Sequence, residues 1–224
     1  RESRKGSARF FAELAKNLAA SRLPYVLDRY RDRVMAAKIR EIDAALRQDL
    51  IICDFLTPAV HFDGLRRHTP AVIFQHNIES QIWERLAAEK RNPVVRAYFK
   101  NQASRLWRAE RHLCAQFDGV VTVSPEDAEY SRATYGLTNV LGSVPTGIDT
   151  DQFRPPAQSC REPGLVGFLG SMDWMPNIEC VRHFAHDILP LIRQRHPGCR
   201  FRIIGRDPAP AVLRLAEADR GIEI

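Results

Sequence analysis

The chain is short of several things, and each absence narrows the field. No apolar run approaches the ~18–20 residues that a membrane span needs. The first residues, Arg1-Glu2-Ser3-Arg4-Lys5, lead into an amphipathic pattern and not into a short apolar segment, so no secretory leader is read in them. The cysteines, Cys53, Cys114, Cys160, Cys180 and Cys199, are odd in number and never spaced C-x-x-C. They read as reduced thiols packed like small hydrophobes, as in a cytoplasmic protein, and not as a disulfide scaffold. There is no internal repeat and no low-complexity tract. With 45% apolar and 27% charged residues, the chain is neither disordered nor collagen-like.

What is present is 224 residues, enough for one large domain or two small ones at roughly 100–200 residues each. The net charge of +6 is unevenly placed: residues 1–50 hold 12 basic and 7 acidic side chains, 81–112 hold 8 and 3, and 113–224 hold 11 and 14. A basic face draws anionic partners such as nucleic acid, an anionic membrane surface or phosphorylated ligands, although solvated helix faces account for the same charges. The chain begins at Arg1 and stops at Gly221-Ile222-Glu223-Ile224, in what reads as the middle of a strand, so a piece of something longer is expected.

Short β-branched runs alternate with longer helical patterns. Strands are expected at 50–55, 71–75, 119–123, 140–144, 164–169, 199–204 and 222–224, and helices at about 5–20, 30–48, 79–115, 125–135, 177–195 and 208–219. Near-continuous apolar strands separated by helices imply α/β architecture with parallel sheets covered on both faces. Ser124-Pro125-Glu126-Asp127 is a helix start, with Ser as cap, Pro in the first turn and acids at the positive end of the dipole. The 79–115 pattern should bend or break at Asn92-Pro93. Four prolines fall within 145–163 and no period survives there. The reading is therefore a Rossmann-like unit over 1–150, a linker over 151–163, and the first part of a second such unit over 164–224, both incomplete.

In open α/β sheets, ligands bind beyond the carboxyl ends of the strands. The strand at 71–75 runs into His76-Asn77-Ile78-Glu79, which places an imidazole there, suited to proton transfer or to a sugar hydroxyl. A helix start capped by Asn77, with Glu79 in its first turn, explains the same residues. The strand at 164–169 ends in Gly170-Ser171, small residues that let an anion approach backbone N–H groups. The next strand ends in Gly205-Arg206-Asp207, where Arg206 could clamp phosphate or pair with Asp207. Neither loop is a G-x-G-x-x-G fingerprint or a P-loop. Cys180, His183, His186 and Asp187 share a helix at spacings that imitate a metal site, but complementary ligands are missing, and no metal is expected. Trp83 and Trp107 lie among basic residues, as nucleic-acid stacking would require. Ile82, Leu86, Val95, Phe99, Ala103, Leu106 and Leu113 share their stripe, however, so core packing is expected and nucleic acid is not.

Taken in order, HNIES, FDGVVTVSPEDAEY, VPTGIDTDQFRP, GFLGSMDWMPNIECVRHFAHDILPLI and FRIIGRDPAP resemble the family-4 retaining glycosyltransferases of the GT-B fold, most of all bacterial sugar transferases of polysaccharide or exopolysaccharide biosynthesis. The likeness runs from about residue 5 to 224. It implies two Rossmann-like domains with the active site in the cleft between them. The donor, a nucleotide-diphosphate sugar, would be held mostly by the second domain, and a saccharide or lipid-linked acceptor by the first. By this resemblance His76 matches the active-site His, Gly170 and Ser171 the diphosphate-facing loop, and Gly205 and Arg206 the next donor-side loop. Asn77, Glu79 and Ser124 would line the acceptor side or the cleft, and Thr146, Gly147 and Asp149 match the interdomain crossing. No metal or other cofactor is implied. The basic first half would suit the inner face of the cytoplasmic membrane as a peripheral contact.

The chain departs from that pattern in two ways. The loop from Ser171 to Asn177 carries no basic residue where many members have Arg and Lys, which shifts the stabilising of the leaving group toward Arg206. The Glu-x7-Glu donor motif would fall after Ile224, so these 224 residues alone are expected to be inactive. A sugar-nucleotide epimerase of similar fold and a non-catalytic sugar-nucleotide-binding module are the competing readings.

Overall fold

A computed structural model describes residues 7–45, 48–155 and 161–224. The chain divides into two compact units, Arg1–Ile148 and Asp149–Ile224. In the first, three helices, α1 (Ala8–Ala20), α2 (Tyr25–Asp28) and α3 (Arg33–Ala44), precede the sheet. Its strands are β1 (Ile51–Asp54), β2 (Ala71–Gln75), β3 (Gly119–Thr122) and β4 (Val140–Ser143), all parallel and in the order β1-β2-β3-β4. A 3-10 turn (Thr57–His61) follows β1, α4 (Glu79–Glu89) and α5 (Pro93–Cys114) link β2 to β3, and α6 (Pro125–Ala133) links β3 to β4.

The second unit has β5 (Leu165–Leu169), β6 (Arg200–Ile204) and β7 (Ile222–Glu223), parallel and in sequential order. Helix α7 (Met175–His183), a π-helical turn (Phe184–Ile188) and α8 (Leu189–Arg195) cross from β5 to β6, and α9 (Pro210–Ala218) crosses from β6 to β7. The architecture is Rossmann-like α/β with parallel sheets, as expected. The linker expected over 151–163 has no helix or strand among its described residues, and 156–160, with Cys160, lie outside them. Residues 46–47, inside the helix expected over 30–48, also lie outside them.

Coverage of the sheets differs from the expectation. In each unit one face is buried: Cys53, Ala71, Ile73 and Val120 in the first, Phe201, Ile203 and Ile222 in the second. The opposite face leaves Ile52 and Leu141 each 65% exposed, and Leu169 81%. Topology explains this. Sequential parallel strands joined by right-handed crossovers step always in one direction, so every crossover helix lands on the same face. On its open face the second unit carries ions: Arg200 and Arg202 each pair with both Glu162 and Glu223.

The α4–α5 break falls where expected. Asn92 accepts from the Val94 and Val95 amides and Pro93 opens the new helix. Trp83 and Trp107 pack against the core, and Ala103, Leu106 and Leu113 are buried, while Val95 is exposed. Part of the basic charge is structural, since the Arg105 guanidinium donates to the Asn17, Leu18 and Ser21 carbonyls at the C-terminus of α1. The single helix expected over 177–195 is interrupted. Pro190 has no N–H for the His186 carbonyl, and the chain widens so that the Leu189 N–H reaches Phe184 O. The shift turns Ile188 outward, away from the stripe of Ile178, Val181 and Leu189.

Candidate functional site

Parallel register builds the first cluster. Asp54 of β1 lies opposite Phe74 of β2, so the residues after Gln75 extend past the end of β1. His76 is thereby set beside Asp54, with Nε2 2.8 Å from Asp54 Oδ1. A carboxylate only accepts, so Nε2 carries a proton toward Asp54, and in the neutral ring Nδ1 is the acceptor. The ring stacks on Phe55 with centroids 3.9 Å apart and planes 13° from parallel, and meets the edge of Phe74 at 4.8 Å. Phe55 holds this position with φ +72, a left-handed backbone unusual for a bulky residue. Strained backbone of this kind concentrates at functional sites. Neither Asp54 nor Phe55 was expected from sequence.

Asn77 does not cap the following helix. The cap residue of α4 is Ile78, without a side-chain bond, and the Glu110 carboxylate of α5 takes the Glu79 and Ser80 amides, each at 3.0 Å. A long-range cap replaces the local one because Glu110 is buried directly against that helix end. Asn77 is exposed and its side chain bonds the Glu79 carboxyl, which burial pushes up. Ser124 does cap: its Oγ accepts from the Asp127 amide at 3.1 Å, after β3, on the same carboxyl edge as His76. Asp149 closes a turn by accepting from the Asp151 and Gln152 amides, and Thr146 and Gly147 are exposed.

The second unit brings its four expected residues together. The Gly170 amide donates to Ile204 O and the Met172 amide to Arg206 O, each at 3.0 Å, so the loops after β5 and β6 are laced backbone to backbone. Arg206 Nε donates to Ser171 Oγ at 3.2 Å, and Ser171 Oγ donates to Asp173 Oδ1 at 2.6 Å. The Ser171 hydroxyl holds the Asp173 carboxyl below its ordinary range, helped by the Arg206 charge. Arg206 thus engages Ser171 rather than Asp207.

On the π-interrupted helix, His183 pairs with Asp187 at 2.8 Å. Among the described residues no three His, Cys, Asp or Glu side chains cluster as a metal site, and no helix is long and apolar enough to cross a membrane. Cys53, Cys114 and Cys199 are buried and Cys180 is exposed. Burial pushes the Cys53 thiol up to about 12, which leaves it inert. Two hollows of the first unit, about 640 Å³ lined by Ala87, Ala103 and Trp107 and about 760 Å³ lined by Asn17, Tyr25 and Asp28, contain none of the expected site residues.

Parallel α/β units with polar groups at the carboxyl ends of their strands are Rossmann-like and consistent with the GT-B type of fold. A model of Glycosyltransferase Family 4 matches residues 4–152, more than half of the chain. The chain belongs to that family and carries a glycosyltransferase-like domain; the match ends at the start of the second unit. A search of curated proteins found no match.

Proposed function

We propose that this protein transfers a sugar, with retention of configuration, from a nucleotide-diphosphate sugar to a saccharide or lipid-linked acceptor, in bacterial polysaccharide assembly. The observation that carries the reading is His76, fixed by Asp54 and Phe55 at the carboxyl edge of the sheet, inside the segment that matches the family. With Nε2–H committed to Asp54, Nδ1 accepts a hydrogen bond from a hydroxyl of the donor sugar near its reacting carbon. Arg206, Ser171 and the backbone of the Gly170 loop receive the diphosphate. As the bond from the anomeric carbon to the diphosphate oxygen breaks, charge on that oxygen is met by the guanidinium and amide dipoles, without a metal. The acceptor oxygen bonds to the same face of the sugar, and its proton leaves on the diphosphate. The basic residues of the first half suit an anionic acceptor or a peripheral contact with the cytoplasmic membrane.

The test is sugar transfer by the natural protein, using labelled UDP- and GDP-hexoses, with the anomeric configuration of the product read by NMR. His76→Ala should lose about 10²-fold or more in kcat. Inversion at the anomeric carbon, or full activity in His76→Ala, overturns the reading. Epimerised donor formed without acceptor would support the epimerase instead.

A further inference from the structure

Glu110 is a carboxylate in the core of the first unit, on the same stripe of α5 as Ala103, Leu106 and Leu113, and it is 0% exposed. Its Oε1 accepts from the Glu79 amide at 3.0 Å, and its Oε2 from the Ser80 amide at 3.0 Å and the Tyr135 hydroxyl at 2.6 Å. The Gln75 carboxamide, in the orientation that satisfies both its ends, donates to Glu110 Oε1 at 3.0 Å and to Asn77 O at 2.9 Å. One carboxylate therefore grips the chain on both sides of His76 and Asn77, through Gln75 before them and Glu79 and Ser80 after them.

We infer that Glu110 is a positioning residue for His76, holding the 75–80 segment so that the imidazole stays between Asp54 and Phe55. The inference rests on the role proposed for His76. Four donors converge on Glu110, and a carboxylate has about four acceptor sites and no proton to put among them. Gln at this position would turn an NH2 group toward backbone donors. The titratable groups facing Glu110 are Glu79, Tyr135 and Cys114. Burial pushes all three up, and the Glu110 charge adds to the rise in Tyr135 and Cys114. Burial pushes Glu110 itself up to about 7, against the Tyr135, Ser80 and Glu79 hydrogen bonds that favour its charge. The grip is thus strongest above neutrality and loosens as the carboxyl takes a proton.

The experiment is NMR on the natural protein, unmutated and as Glu110→Gln, together with transfer kinetics. The His76 ring protons, stacked on Phe55, should be shifted by its ring current. In Glu110→Gln that shift should largely vanish, and kcat should fall about tenfold with the donor KM changed less than about twofold. Glu110→Asp, which keeps the charge, should recover part of both. An unchanged His76 shift in a folded Glu110→Gln protein overturns the inference. If that variant does not fold, the unmutated protein decides. Its Glu79 and Ser80 amides should titrate together near pH 7, and the nuclear Overhauser contacts between His76 and Phe55 should weaken below that midpoint. Contacts unaltered across the titration, or amides that do not titrate, overturn it. Absence of sugar transfer from the unmutated protein contradicts the proposed function instead, and the ring shift still decides the positioning.

Discussion

Gly205 faces the Gly170 carbonyl so closely that a methyl group added to Gly205 would stand 1.8 Å from that oxygen. The neighbour is backbone and is itself bonded into the lacing of the two loops, so it cannot step aside cheaply. Gly205→Ala should therefore destabilise the second unit by about 1–3 kcal/mol and weaken nucleotide binding there. Gly167→Ala, where a methyl group meets nothing within 4 Å, is the control and should stay within about 0.5 kcal/mol of the parent. Urea unfolding of the two variants makes the comparison.

Phe55 stacks on His76 from a left-handed backbone, and the two effects can be separated. Phe55→Ala removes the stack and keeps the strain, while Phe55→Gly removes both. The glycine variant should be more stable by roughly 0.5–1 kcal/mol, although both should lose activity. Equal stability of the two variants would mean that the backbone relaxes once the ring is gone.

The Glu110 carboxyl is raised by burial from 4.5 to about 7, which gives a pH dependence of definite sign. The folded protein keeps this proton over a range in which the unfolded chain has released it. The stabilisation is complete below about pH 4.5 and is lost as pH rises through about 7, a change of up to about 3 kcal/mol. Chemical unfolding across that window should show the decline, and Glu110→Gln should flatten it. The charged state that best grips the His76 segment is therefore the less stable one.

Much of this was legible in the chain. All seven strands among the described residues lie within the expected runs, because β-branched and aromatic side chains fit a pleated, half-buried surface even where one face of the sheet stays open. His76 and the Gly170 and Gly205 loops could be placed because strand ends are visible locally. Asp54 and Phe55 could not, since their meeting with His76 depends on the pairing of β1 with β2. Glu110 lies within a basic stretch, yet an acid on the stripe of Ala103, Leu106 and Leu113 is the signal that points to a buried carboxylate. The short helix α2 and the turn Thr57–His61 carry too few residues to show a period. The π-helical turn was signalled only by Pro190 inside an otherwise helical pattern.

Asp173 is bonded to Ser171 and lies near the Arg206 charge, in the loop proposed to receive the diphosphate. Its carboxylate opposes the anion that Arg206 attracts. Asp173→Asn keeps the shape, removes the charge, and should tighten binding of a nucleoside diphosphate about three- to tenfold at low salt, with the gain shrinking as salt rises. Fluorescence titration at two ionic strengths would reveal it, and weaker binding would mean that Asp173 orders the loop rather than repelling the ligand.

The proposed function requires that the loops of Gly170 and Gly205, with Arg206, hold the diphosphate of a nucleotide sugar. Calorimetric titration of the natural protein with UDP- and GDP-linked hexoses, in parent and Arg206→Ala forms, tests it most directly. The expected result is saturable binding of at least one donor, weakened about tenfold or more when the charge-assisted bonds of Arg206 are removed. No binding of any donor, or binding unchanged in Arg206→Ala, would contradict it.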